Sequence, residues 1–186
     1  MSQRSIRAHR LAIALALAYS GASPATDPSH GELGPLAAAL FATVPPAALS
    51  QADRREIAAL TPLALRDGIV VSSLLGCETA MHPEVTVEDL NGDGVSEVFV
   101  VAGNSCTSGM TGSSIWLFAK RLDGRWSQRL DVTGVAYRVL PTTTQGWRDL
   151  AIGGRGSCHG VWRFAADNKY RYVRSVKPDG TACPGQ

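Results

Sequence analysis

A shift of 52 residues lays Gly94-Val-Ser-Glu97-Val-Phe-Val-Val-Ala-Gly-Asn-Ser-Cys106 over Gly146-Trp-Arg-Asp149-Leu-Ala-Ile-Gly-Gly-Arg-Gly-Ser-Cys158. Glycine falls on glycine, acid on acid, one apolar run on another, and Ser-Cys on Ser-Cys. With six residues dropped from the second copy the match continues, placing Ile115-Trp116-Leu-Phe118-Ala119 over Val161-Trp162-Arg-Phe164-Ala165. Cys and Trp are rare residues, so their agreement in phase points to a duplicated unit rather than to composition. Nothing else in the chain restricts its fold as much, because both copies must form the same supersecondary structure and bury it against a shared core. The expected units cover about 85–135 and 136–180.

Each unit reads as β structure. Val85 to Val87, Val95 to Ala102, Ile115 to Lys120, Arg125 to Leu130, Val135 to Leu140, Asp149 to Ile152, Gly160 to Phe164 and Tyr170 to Val176 are short runs rich in β-branched and aromatic residues, separated by Gly, Asp, Asn and Pro. Short strands at this spacing, with turn residues between them, predict antiparallel pairing. Val98-Phe99-Val100-Val101 is apolar on both strand faces, which suits a central strand. Ahead of the units, Leu36 to Phe41 is an Ala-rich helix candidate stopped by Pro45-Pro46. A second helix begins at Ser50, which can cap it together with Asp53, and ends before Pro62. The expected architecture is mostly β, a compact antiparallel sandwich or two blade-like β units, with a short helical segment over 35–68 and the β domain over 69–186.

The chain has 186 residues and a formal net charge of +2. Arg4, Arg7 and Arg10 precede the apolar run Leu11 to Tyr19 and then Ser20-Gly21-Ala22, the order of a secretory signal peptide over residues 1–22. That run falls well short of the roughly 20 residues a membrane-spanning helix needs. Residues 23–34 read as a disordered leader. Without the signal, 15 basic residues stand against 16 acidic ones, which removes the positive excess that general nucleic-acid binding requires. The expected location is periplasmic or secreted, without membrane insertion. In such an oxidising compartment Cys77, Cys106, Cys158 and Cys183 are expected to form two disulfides. Three connectivities are open to the spacing, and Cys77 with Cys106 and Cys158 with Cys183 is the one that gives each unit its own staple.

Asp89-Leu-Asn91-Gly-Asp93-Gly94-Val95-Ser-Glu97 carries the sharpest chemical signal. Calcium takes six to eight hard oxygen ligands, and oxygens at alternating positions of a tight loop can converge on one ion. The expected ligands are the side chains of Asp89, Asn91, Asp93 and Glu97 and the backbone carbonyl of Val95. An EF-hand loop would need a bidentate Glu at its twelfth position, where this chain has Val100 inside an apolar run. A solvated acidic β-turn is the plainer reading of the same residues, but it leaves three carboxylates repelling one another within one loop.

Asp-x-Asn-Gly-Asp-Gly-x-x-acid running directly into an apolar strand resembles the calcium loop of FG-GAP/VCBS-type repeats, found in integrin β-propellers and many secreted bacterial proteins. The resemblance implies calcium ligation by the first, third, fifth and ninth side chains and the seventh carbonyl, which fall on Asp89, Asn91, Asp93, Glu97 and Val95. In the second copy the matching positions are Pro141, Thr143 and Gln145, and Asp149 alone keeps its ligand type. That loop is expected to hold no calcium. Two units are also fewer than the four blades of the smallest propellers.

No Gly-x-Ser-x-Gly, His-Glu-x-x-His or phosphate loop occurs. Gly153-Gly-Arg-Gly156 lacks the Lys-Ser/Thr of a nucleotide site and reads as a turn. The functional expectation is a non-enzymatic, calcium-binding module, of inhibitor or immunity type, for a protein or envelope polymer. A small hydrolase using His159 with Asp149 or Asp167 is the alternative. Charge is polarised, with a net −8 over 23–98, +3 over 99–145 and +4 over 146–186. Lys169, Arg171, Val173 and Ser175 fall on one face of an extended last strand, so Lys169 and Arg171 are the candidate surface for an acidic partner.

Overall fold

Proline at a first helical turn removes an N–H that would lack a partner there. In the computed structural model, which describes residues 33–153 and 158–183, α1 (Pro35–Leu40) starts in this way. The expected signal peptide and nearly all of the leader lie outside the described residues, as does most of the Gly153–Gly156 turn. The second helix, α2 (Gln51–Leu60), opens with the expected capping box, in which the Ser50 hydroxyl accepts from the Asp53 N–H and the Asp53 carboxylate accepts from the Ser50 N–H. It stops before Pro62, whose ring disfavours helical geometry in the preceding residue. Arg54 ties the two helices together. Its buried guanidinium donates to the carbonyls of Phe41, Val44, Pro45 and Leu49 and lies over the Phe41 ring.

The expected helical segment over 35–68 is too long by its last few residues. Leu63–Arg66 (β1) and Ile69–Ser72 (β2) form an antiparallel hairpin. Asp67 and Gly68 both adopt left-handed backbone, with φ of 50° and 79°, the two-residue turn that Asp-Gly favours because its twist matches the strands.

Two four-stranded sheets follow, each a simple antiparallel meander. The first contains β3 (Glu84–Glu88), β4 (Glu97–Ala102), β5 (Ser114–Lys120) and β6 (Trp126–Thr133), with the four-residue helix α3 (Ser105–Ser108) between β4 and β5. The second contains β7 (Ala136–Thr144), β8 (Trp147–Gly153), β9 (His159–Phe164) and β10 (Tyr170–Val176). All eight expected runs are strands. Disulfides join Cys77 to Cys106 and Cys158 to Cys183.

Strand register refines the internal alignment. Val98 pairs with Val87 on one side and Phe118 on the other, and Leu150 pairs with Val139 and Trp162. The first two strands of each sheet therefore correspond at a shift of 52 residues, but the last two correspond at 44. The second connection is shorter by eight residues rather than six. Trp162 occupies the place of Phe118, and Gly160 that of Trp116. A slip of two leaves every side chain on its face, which is why the pattern alone does not expose it. The turns obey the 44-residue shift. Arg121 N–H donates to Arg125 O and Gly124 N–H to Arg121 O, as Ala165 N–H does to Lys169 O and Asn168 N–H to Ala165 O.

The layers stack in one direction. Val98, Val100, Trp116 and Phe118 face the helices and the β1–β2 hairpin in one core. Phe99, Ile115, Leu117 and Leu130, on the opposite face of the same sheet, meet Leu150, Ile152, Phe164 and Tyr170 of the second sheet in another. Leu150 and Ile152 are the counterparts of Val98 and Val100, so each sheet packs through the same face onto the layer before it. The chain crosses between sheets at Gly134, where a Cβ would come within 2.7 Å of Ile152 and 3.0 Å of Ile115.

Candidate functional site

The expected calcium loop joins β3 to β4, strand to strand as the sequence implies. Gly92 and Gly94 have φ of 75° and 81°, a conformation that other residues adopt at a cost. They let the chain coil around Asp89, whose Oδ1 accepts from the N–H groups of Asn91 and Gly92 and whose Oδ2 accepts from Gly94 N–H. Those amides hold the Asp89 carboxyl below the usual carboxylate range. Asp93 Oδ1 accepts from Val95 N–H, and Asn91 Nδ2 donates to Asp93 Oδ2 at 2.9 Å.

Glu97 closes the loop and is 2% exposed. Its Oε2 accepts from Leu90 N–H at 2.8 Å. Burial pushes its carboxyl up to about 7, against the pull of the Leu90 amide and with the repulsion of Asp93 and Asp89. Leu90, a position the loop pattern leaves unspecified, anchors the site. Its side chain is buried in the core between the sheets and its carbonyl accepts from Arg148 N–H of β8. The loop is thus part of the sheet-to-sheet contact. No feature of the sequence short of the sheet packing itself marks Leu90 for this role.

Among the described residues, no three His, Cys, Asp or Glu side chains cluster as a metal site. The acids are turned onto the loop's own amides instead. The donor set itself suits a hard cation, being four oxygen-bearing side chains and a carbonyl without sulfur or imidazole.

The second copy satisfies its acid differently. Gln145 and Gly146, with φ of 53° and 82°, make a tight hairpin turn in place of the nine-residue loop. Asp149, 1% exposed, accepts from the hydroxyls of Thr142 and Thr144 at 2.8 and 2.7 Å and pairs with Arg163 at 3.3 Å. A cation supplied by the protein stands beside Asp149. Glu97 is held by backbone amides and has no direct ion pair among the described residues.

The other sequence candidates are not gathered together. His159 pairs with Gly153, which places Asp149 four residues further along β8, about 13 Å away. Asp167 lies in the turn at the opposite end of β9 and is bound to Arg171. Neither acid reaches the imidazole. The stripe over Lys169, Arg171, Val173 and Ser175 is broken by a bulge between Tyr172 and Arg174. The bulge moves Arg174, rather than Val173, onto the face that carries Arg171, and Lys169 lies in the turn before the strand. An extra residue in a strand reverses every later side chain, and nothing in the local sequence announces it.

No protein-family model matches this chain, and no curated protein or solved structure matches it significantly. Fold and site therefore define it by themselves as a mostly β protein of two stacked meander sheets with a helical cap. No helix among the described residues is long and apolar enough to cross a membrane.

Proposed function

We propose that this is an exported, calcium-binding β module of the FG-GAP/VCBS type, which binds a protein or an envelope polymer rather than transforming a substrate. The observation that carries the reading is the contrast between Glu97 and Asp149. Equivalent acids are buried at equivalent strand starts, and the one beside an Asp-rich loop lacks the direct cation contact that the other receives from Arg163, Arg129 acting on it only at longer range. A calcium ion held by Asp89, Asn91, Asp93, Glu97 and the Val95 carbonyl would supply it. The ion would also fix the loop that carries Leu90, and through Leu90 the contact between the sheets. Two disulfides support the export reading, since such bonds persist in oxidising compartments.

Calorimetric titration of chelator-stripped protein with calcium is the test. One site is expected, with a Kd on the order of 10⁻⁴–10⁻³ M as in extracellular modules, and Asp93→Ala is expected to abolish it while leaving the circular-dichroism spectrum unchanged. Absence of saturable heat in the wild-type protein, together with absence of co-purifying metal, overturns the proposal.

A further inference from the structure

Among the described residues, one face of the second sheet receives no further sheet or helix, although Ala151 and Val161 at its middle are only 3% and 4% exposed. It is the face of the second sheet that corresponds to the one by which the first sheet receives its neighbour. Register places Arg138, Ala151, Val161 and Arg174 in a single row across β7, β8, β9 and β10. The next row along the same face holds Asp149, Arg163 and Arg171. Four guanidinium groups thus stand on a face with one carboxylate, and that carboxylate is buried and already bound to Thr142, Thr144 and Arg163.

Arg138, Arg163 and Arg174 line one cavity of about 260 Å³, with the buried Val161 and Val176 as its apolar floor. Asp179, which also lines the cavity, accepts from the Thr181 N–H and hydroxyl. Arg171 is neutralised by Asp167. Among the described residues Arg138 and Arg174 have no ion-pair partner, and both are exposed.

We propose that this cavity is the docking site for a carboxylate side chain of an acidic protein segment, clamped between Arg138 and Arg174 above the apolar floor. Charge complementarity selects the sign of the partner. Guanidinium groups bind carboxylates through paired, charge-assisted hydrogen bonds, and two of them are here unengaged. The floor selects protein over saccharide. Sugar rings are usually held by flat aromatic faces, but Trp162, Tyr170 and Tyr172 lie on the opposite side of this sheet, turned toward the first one. The inference rests on the binding-module reading and is independent of calcium.

The test is amide chemical-shift mapping of the full, disulfide-bonded chain, titrated with a hexaglutamate peptide and separately with an oligogalacturonate. Saturable shifts confined to the amides of residues 138, 151, 161 and 174 are expected with the peptide, and Arg138→Glu with Arg174→Glu should weaken binding more than about tenfold, the loss of one or two charged contacts. Arg125→Glu, in a distant turn, should leave binding unchanged. Arg138→Gln with Arg174→Gln provides the same reading if charge reversal impairs folding. Tighter binding of the saccharide, shifts elsewhere, equal weakening by Arg125→Glu, or self-association through this face in ultracentrifugation each overturns the proposal. Failure here alongside an intact calcium titration leaves the calcium-module reading standing.

Discussion

Replacing Glu97 by Gln is expected to move stability in opposite directions with and without calcium. Without calcium this carboxyl is buried with the Leu90 amide as its main donor, and its pKa rises from 4.5 to about 7. A carboxyl that ionises less readily in the folded chain than in the unfolded one imposes no penalty below the unfolded value. The penalty grows as pH rises from 4.5 through 7, so stability is lost across that window. The full rise is worth about 3 kcal/mol, and relaxation of the polar loop around the charge reduces it to about 2 kcal/mol. Glu97→Gln removes the charge and keeps an acceptor for the Leu90 amide, while the new N–H it buries costs about 1 kcal/mol. In chelator near pH 7.5 the variant should therefore be more stable by about 1 kcal/mol, or about 2–4 °C in Tm for a domain of this size. Near pH 4.5 that advantage vanishes. With calcium at about a hundred times its Kd the wild-type protein gains about 2.7 kcal/mol and overtakes the variant, which has lost a charged ligand. Thermal melts at both pH values, with EDTA and with calcium, measure all four terms. A variant less stable than wild type at pH 7.5 in chelator, or one that retains the calcium shift, refutes the reasoning.

Arg54→Ala leaves the carbonyls of Val44 and Leu49 without their side-chain donor, takes one of two donors from those of Phe41 and Pro45, and removes the group that binds α1 to α2, so urea denaturation should show a loss of about 3 kcal/mol; a loss under about 1 kcal/mol would mean that water replaces the guanidinium without penalty. Asp53 has its carboxyl lowered to about 2, burial working against hydrogen bonds from Lys120, Trp126 and Ser50 that together outweigh it. Its contribution is complete above the ordinary value of 3.8 and is lost as pH falls toward 2. Because the Trp126 indole donates to Asp53 at 2.8 Å, tryptophan emission should change over the same acid range in the wild-type protein and not in Asp53→Asn.

The eight strands and the first two helices were legible because each depends on local chemistry, apolar runs between turn residues and a capping box, whereas the spacing of the cysteines favoured their pairing through the repeat without excluding the two others. The β1–β2 hairpin was also written locally, in Asp67-Gly68 and the β-branched Ile69–Ser72, but its first strand, Leu63–Arg66, has a Leu and Ala content that reads equally well as helix. What escaped was everything set by register. The true offset of the third and fourth strands, the bulge in β10 and the row from Arg138 to Arg174 depend on which residues lie opposite one another, and an even slip changes no alternation. The loop's place between two strands could be read from its spacing alone. Its anchorage through Leu90 could not, since that depends on a sheet formed some 60 residues later in the chain.

A stack in which every layer presents the same side to the next has a beginning and an end, and these differ. Here the helices close the beginning. At the other end the row from Arg138 to Arg174 stands where an apolar surface would invite another β layer, whether a further unit or a second copy of the chain. Repetition of this kind, left unchecked, generates open-ended filaments. A further layer would have to bury these guanidinium groups, at a cost that an apolar face would not impose, so the arginines oppose growth at this end. Lengthening the protein by another unit would first require their removal.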